Sequence, residues 1–105
     1  MKPVSDRTLF LLWVVGQKTE RDWSTGKLSN FFVPQNSEIY YHDKGESKHT
    51  YISGSGDASS LRGLEKRGLI ERPKTSLPNK YVYALTEKGL QFIVANGLRE
   101  RFEGC

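Results

Sequence analysis

A single cysteine, Cys105, stands at the last position of the 105-residue chain and has no second thiol to pair with. A disulfide scaffold is therefore excluded, and the expectation is a reducing, cytoplasmic setting. Long apolar runs are equally scarce. The run Leu9-Phe10-Leu11-Leu12-Trp13-Val14-Val15 is too short to span a bilayer and lacks the small-residue cleavage site of a secretory signal, so it reads as core, with no membrane contact. No internal repeat or low-complexity segment occurs. Metal-like residues are sparse: His42, Asp43, Glu46 and His49 can meet at a hairpin tip, but no thiolate lies near them. Cross-strand pairing of the two histidines accounts for them without a ligand, so neither a metal nor a cofactor is expected. No nucleophile stands beside a plausible base, which points away from an enzyme.

What is present is ordinary for a soluble globular chain: 36% hydrophobic and 27% charged residues, enough for one domain over 1–105 with one core. A domain of this size is marginally stable, and a dimer contact would extend its core. The net charge of +4 and the pI near 9.3 are unevenly placed. Between Asp57 and Lys80 the chain carries Arg62, Lys66, Arg67, Arg72, Lys74 and Lys80 against Asp57, Glu65 and Glu71, so this segment holds +3 of the total. A local cationic excess of this kind suits a polyanion.

Along the chain, Ser5 and Asp6 are capping candidates for a first helix through Leu9, Leu12, Trp13 and Val15, with Gly16 as its expected stop. Because this run is apolar on nearly every side, a buried strand competes with the helix. Leu28, Phe31 and Phe32 at i, i+3 and i+4 predict a short second helix ended by Pro34. The β-prone runs Ile39–His42 and His49–Ile52, around the turn residues 43–47, predict a hairpin over 37–53. Ser53-Gly54-Ser55-Gly56 reads as a flexible joint. Tyr40, Tyr41 and Tyr51 are expected to pack the hairpin on the domain; the competing reading is an exposed aromatic surface.

Asp57 is placed to cap a helix over 57–67 whose Ala58, Leu61, Leu64 and Glu65 share one face. Gly68 would close it in the left-handed conformation, packing Leu64 against Leu69 in a Schellman cap. A β ribbon over 69–85 follows, with residues 73–79 as its tip. Thr86 caps a C-terminal helix over 86–98, with Leu85 and Leu90 as a hydrophobic staple and Leu90, Ile93, Val94 and Leu98 on one face. That face serves either as core or as a homodimer seam.

The stretch Leu61-Arg62-Gly63-Leu64-Glu65-Lys66-Arg67-Gly68-Leu69-Ile70-Glu71-Arg72, followed by Tyr83-Ala84-Leu85-Thr86-Glu87-Lys88-Gly89, resembles winged helix-turn-helix transcriptional regulators of the MarR and PadR kind. The resemblance covers about residues 57–94. It implies an α+β winged-helix domain with a recognition helix over 57–67, a two-stranded wing over 69–85, a packing helix behind them, and double-stranded DNA as partner. The chain departs from that pattern before residue 57: either the hairpin is inserted before the recognition helix, or the second helix of the motif lies elsewhere.

On this reading Ser59, Ser60, Arg62, Gly63, Lys66 and Arg67 enter or flank the major groove. Arg62 is suited to guanine O6 and N7, and Lys66 and Arg67 to phosphates. Arg72, Lys74, Thr75, Ser76, Asn79 and Lys80 supply the wing, for backbone or minor-groove contact. The alternative is a winged helix that binds protein, as an adaptor or as an inhibitor of a nucleic-acid enzyme.

Overall fold

A computed structural model describes residues 4–34, 37–74 and 81–103. The described residues form a small mixed α/β domain of four helices and three two-stranded antiparallel sheets. No helix among them is long and apolar enough to cross a membrane.

The first helix, α1 (Asp6–Lys18), begins where the Ser5 side chain accepts from the Thr8 N–H, with Asp6 in the first turn. Six consecutive residues, Phe10 to Val15, are buried. Continuous burial fits a helix enclosed by neighbours on several sides, which is why its apolar residues show no single stripe. Gly16 does not stop α1. Its missing side chain admits another helix instead, since a methyl group there would lie 2.9 Å from Ile93 Cδ1. The helix ends at Thr19, whose N–H and hydroxyl both donate to the Val15 carbonyl.

The second helix expected around Leu28–Phe32 does not form. Strand β1 (Glu20–Arg21) pairs with β2 (Leu28–Asn30), and the turn between them is closed by Asp22. Its carboxylate accepts from the Ser24 N–H and hydroxyl at 2.9 and 2.6 Å, while Gly26 adopts φ +80°. Hydrogen bonds from Ser24 hold the Asp22 carboxyl below its usual range. Phe32 then exchanges both backbone bonds with Tyr83, at 2.8 and 2.9 Å. A partner 51 residues away satisfies the backbone that a local helix would have satisfied internally.

Strands β3 (Ser37–Asp43) and β4 (Glu46–Ile52) form the hairpin in unbroken register from Ser37↔Ile52 to Asp43↔Glu46. Lys44 and Gly45, both at positive φ, make the two-residue turn that suits strand twist. One face carries Ile39, Tyr41 and Ile52 into the core, with the Tyr41 ring 4.3 Å from Phe10. The other face exposes Tyr40 and Tyr51, at 74% and 62%, so only one of the three hairpin tyrosines packs the domain. His42 stands opposite Ser47 and His49 opposite Tyr40; the expected histidine pair is therefore not formed. Asp43 is taken by Arg101, and His49 by Glu38. No cluster of three metal-ligating side chains occurs among the described residues.

Helix α2 (Ala58–Lys66) packs Leu61 and Leu64 inward. Strand β5 (Ile70–Glu71) pairs with β6 (Ala84–Leu85), and Phe32 lies beside Tyr83 to extend this sheet. The C-terminal helix expected over 86–98 is two helices, α3 (Glu87–Ala95) and α4 (Leu98–Phe102). Gly97, at φ +61°, breaks the helical path because it adopts the left-handed conformation with no Cβ clash. The reversal returns Leu98 and Phe102 to the core, where Phe102 lies 5.6 Å from both Phe10 and Trp13. Ile93 and Leu98 are thus internal, whereas Val94, expected on the same face, is exposed. Arg101 fixes the returning helix to the hairpin, donating to Asp43 from Nε at 2.8 Å and Nη2 at 3.3 Å.

Candidate nucleic-acid interface

Helix α2 is fixed at both ends. Asp57 occupies the N-cap position but makes no side-chain cap bond. Its carboxylate accepts instead from Arg7 Nε and Nη2, each at 3.0 Å, and from the Ser53 N–H at 3.2 Å. Arg7 also donates to the Thr50 hydroxyl and the Tyr51 carbonyl. One guanidinium therefore joins α1, the end of β4 and the start of α2. The intervening residues 53–56 form a bonded turn, with the Gly56 N–H donating to Ser53 Oγ at 2.8 Å, in place of the free joint expected.

At the other end, Gly68 takes φ +76°. Its N–H donates to the Glu65 carbonyl at 2.9 Å, and the Leu69 N–H donates to the Leu64 carbonyl at 3.1 Å. These are the paired bonds of a Schellman cap. The Thr86 hydroxyl donates to the Gly68 carbonyl at 2.6 Å and accepts from the Gly89 N–H at 3.0 Å, so one side chain caps α3 and holds the exit of α2. Gly89 abuts the Leu69 carbonyl closely enough that no side chain fits.

With α2 held this way, Ser59, Arg62 and Lys66 are exposed, while Ser60, Gly63 and Arg67 are half-buried. Nothing lies within 4 Å of where a Gly63 Cβ would stand, so another molecule has access to the helix backbone there. Arg72 and Lys74, which follow β5, are also exposed. Among the described residues Arg62, Lys66, Arg67, Arg72 and Lys74 form no ion pair. The remaining residues expected in the site, Thr75, Ser76, Asn79 and Lys80, lie outside the described residues.

A cleft of about 310 Å³ opens between the N-terminal half of α2 and the residues leading into β6. Its lining includes Ala58, Leu61, Arg62, Arg72, Tyr81 and Tyr83. The Arg72 guanidinium lies 4.6 Å from the Tyr81 ring centre, within cation–π range. Tyr83 is buried, and burial pushes its phenol up from the usual value, partly offset by Arg72 and Arg62. At neutral pH its hydroxyl is therefore protonated and able to donate. Neither tyrosine was singled out as a site residue from sequence. Their i, i+2 spacing, which puts both on one side of an extended segment, was the available signal.

A second exposed surface lies on the outer face of the hairpin. Tyr40 stacks on His49 at 4.6 Å, and His49 meets Tyr51 edge-on at 5.1 Å. The Glu38 carboxylate accepts from the Tyr40 hydroxyl and also bonds His49; these bonds, that from Tyr40 first, hold its carboxyl below the usual range. No protein-family model matches the chain, and no similar curated protein or solved structure was found.

Proposed function

We propose that the chain is a winged-helix domain that binds duplex DNA, with α2 as the recognition helix and β5–β6 as the base of the wing. The observation that carries this reading is the exposure of Ser59, Arg62 and Lys66 on α2, with Arg72 beyond β5 at the same cleft as Arg62 and Lys74 exposed two residues on. These residues give an accessible cationic surface whose guanidinium and ammonium groups have no carboxylate partners among the described residues. Short hydroxyls near the start of such a helix and an open glycine further along it suit approach to base edges, and the basic groups suit phosphates. The Schellman cap and the Thr86 bonds support the reading because they hold helix and wing in one orientation, which major-groove docking requires. Among the described residues the β3–β4 hairpin, and no second helix, lies directly before α2.

The test is fluorescence anisotropy with a random-sequence duplex pool across salt concentrations, with Arg62→Glu/Lys66→Glu as the control. About five phosphate contacts would give a log–log salt slope of roughly −4 to −5. Salt-sensitive binding that is lost in the double variant supports the reading; no binding at low salt refutes it.

A second reading, a winged helix that binds protein, rests on the exposed Tyr40–His49–Tyr51 face. On that reading substitution of Tyr40 and Tyr51 weakens partner capture, and charge reversal on α2 does not.

A further inference from the structure

The cleft beside α2 has a composition that paired DNA does not use. Paired bases offer a protein only their edges, since both faces are covered by neighbouring pairs. Here the lining combines Tyr81 and Tyr83 rings with Pro34, Ala58 and Leu61, and it places Arg62 and Arg72 at the same cavity. Among the described residues no carboxylate lines it. A volume of about 310 Å³ is at the small end of the range for ligand pockets. An occupant matched to these walls has a free planar face, for Tyr81 and the Arg72 guanidinium, and a covalently attached anion, for Arg62.

We propose that this cleft receives one unstacked nucleotide of the bound DNA, its base against Tyr81 and Arg72 and its phosphate on Arg62. Unpaired bases stack on tyrosine rings and arginine planes. Tyr83 lines the same cleft, where its hydroxyl would donate to an acceptor on the base. The inference rests on the DNA-binding reading and refines its partner: the preferred DNA carries an unpaired nucleotide, either displaced within the duplex or overhanging at a strand end. Tyr81 is the residue to perturb, because it is 57% exposed and its removal leaves the core untouched.

Three duplexes of one sequence separate the outcomes: one fully paired, one with a single 2-aminopurine bulge, and one with a terminal 2-aminopurine overhang. Anisotropy reports affinity, and the 2-aminopurine emission reports stacking in the cleft. The expected result is at least about tenfold tighter binding of the bulged or the overhanging duplex. Protein-dependent quenching should accompany it. Tyr81→Ala removes the preference for the unpaired duplexes and the quenching; Tyr81→Phe retains both. Whichever unpaired duplex is preferred identifies the source of the nucleotide. Equal affinity for all three without quenching overturns the inference and leaves duplex binding standing. Failure of all three to bind overturns both.

Discussion

Replacing Gly89 with alanine tests the tightest approach at any described glycine, and its sign is opposite to what helix propensity alone gives. Gly89 lies in the first turn of α3, and a methyl group on it would overlap the Leu69 carbonyl oxygen, approach the Leu69 carbonyl carbon to 3.0 Å and approach Leu85 Cδ1 to 2.7 Å. In an open helix, alanine for glycine gains about 1 kcal/mol. Here the obstacle is largely backbone, so overpacking costs about 1–3 kcal/mol, towards the upper end. Displacing α3 also weakens the 3.2 Å bond from the Thr86 N–H to the Leu69 carbonyl, a further loss of about 1 kcal/mol. The net expectation is a destabilisation of about 2–3 kcal/mol. For a domain of this length it appears as a fall in Tm of roughly 10–20 °C, or in the urea midpoint of about 1–2 M. Gly63→Ala supplies an internal control, since its methyl group meets nothing within 4 Å and should stabilise α2 by up to about 1 kcal/mol. Equilibrium urea unfolding followed by circular dichroism measures both. A Gly89→Ala protein as stable as the parent would refute the close approach of α3 to Leu69.

Thr19→Val removes a hydroxyl that donates to the Val15 carbonyl at 2.7 Å and accepts from the Leu85 N–H at 2.9 Å. Leaving that buried N–H unpaired should cost about 1–3 kcal/mol, read as a lowered urea midpoint at nearly unchanged side-chain volume. Asp57→Ala strips Arg7 of the carboxylate it bonds twice and should destabilise by about 1.5–3 kcal/mol. Amide exchange should quicken first in residues 53–60, where α2 is tied to β4. The Arg101 guanidinium, bonded to Asp43, holds that carboxyl below its usual range. A carboxyl pKa depressed by folding gives stability that is full above the unfolded value of 3.8 and is lost as pH falls below it through the folded value. Asp43→Asn should therefore flatten the acid limb of the stability profile, with the loss relative to the parent greatest at neutral pH.

Local chemistry in the sequence was sufficient for several structures closed by neighbours in the chain, though not for the Asp22–Gly26 turn or the bonded Ser53–Gly56 turn. Ser5 at the start of α1, the Lys44-Gly45 hairpin turn, Gly68 closing α2 and Thr86 capping α3 each depend on residues within a few positions, and each was legible. The period-two pattern of the hairpin was legible for the same reason, although the assignment of Tyr41 inward and Tyr40 and Tyr51 outward needed a core to define the inner face. Of the candidate interface, helical periodicity puts Ser59, Gly63, Lys66 and Arg67 outward with Arg62 at the boundary; Ser59 and Lys66 are exposed, Arg62 is exposed as well, and Gly63 and Arg67 are half-buried. The cleft beside them could not be read in this way, because Pro34, Leu61, Arg72 and Tyr81 come from separate segments.

What only tertiary structure decided is the set of features whose partners are distant in sequence. Leu28, Phe31 and Phe32 carry helical spacing, yet the backbone of Phe32 is satisfied by Tyr83 and β2 by β1. Asp57 has the composition of a cap, but Arg7, 50 residues earlier, takes its carboxylate because a charge-assisted pair of bonds is stronger than one neutral cap bond. Gly16 and Gly97 illustrate the same division: glycine marks helix ends in sequence, but packing against Ile93 keeps the first inside α1, while the left-handed backbone at the second turns the chain into α4. Sequence fixes which local conformations are available at low cost, and long-range burial and hydrogen bonding select among them.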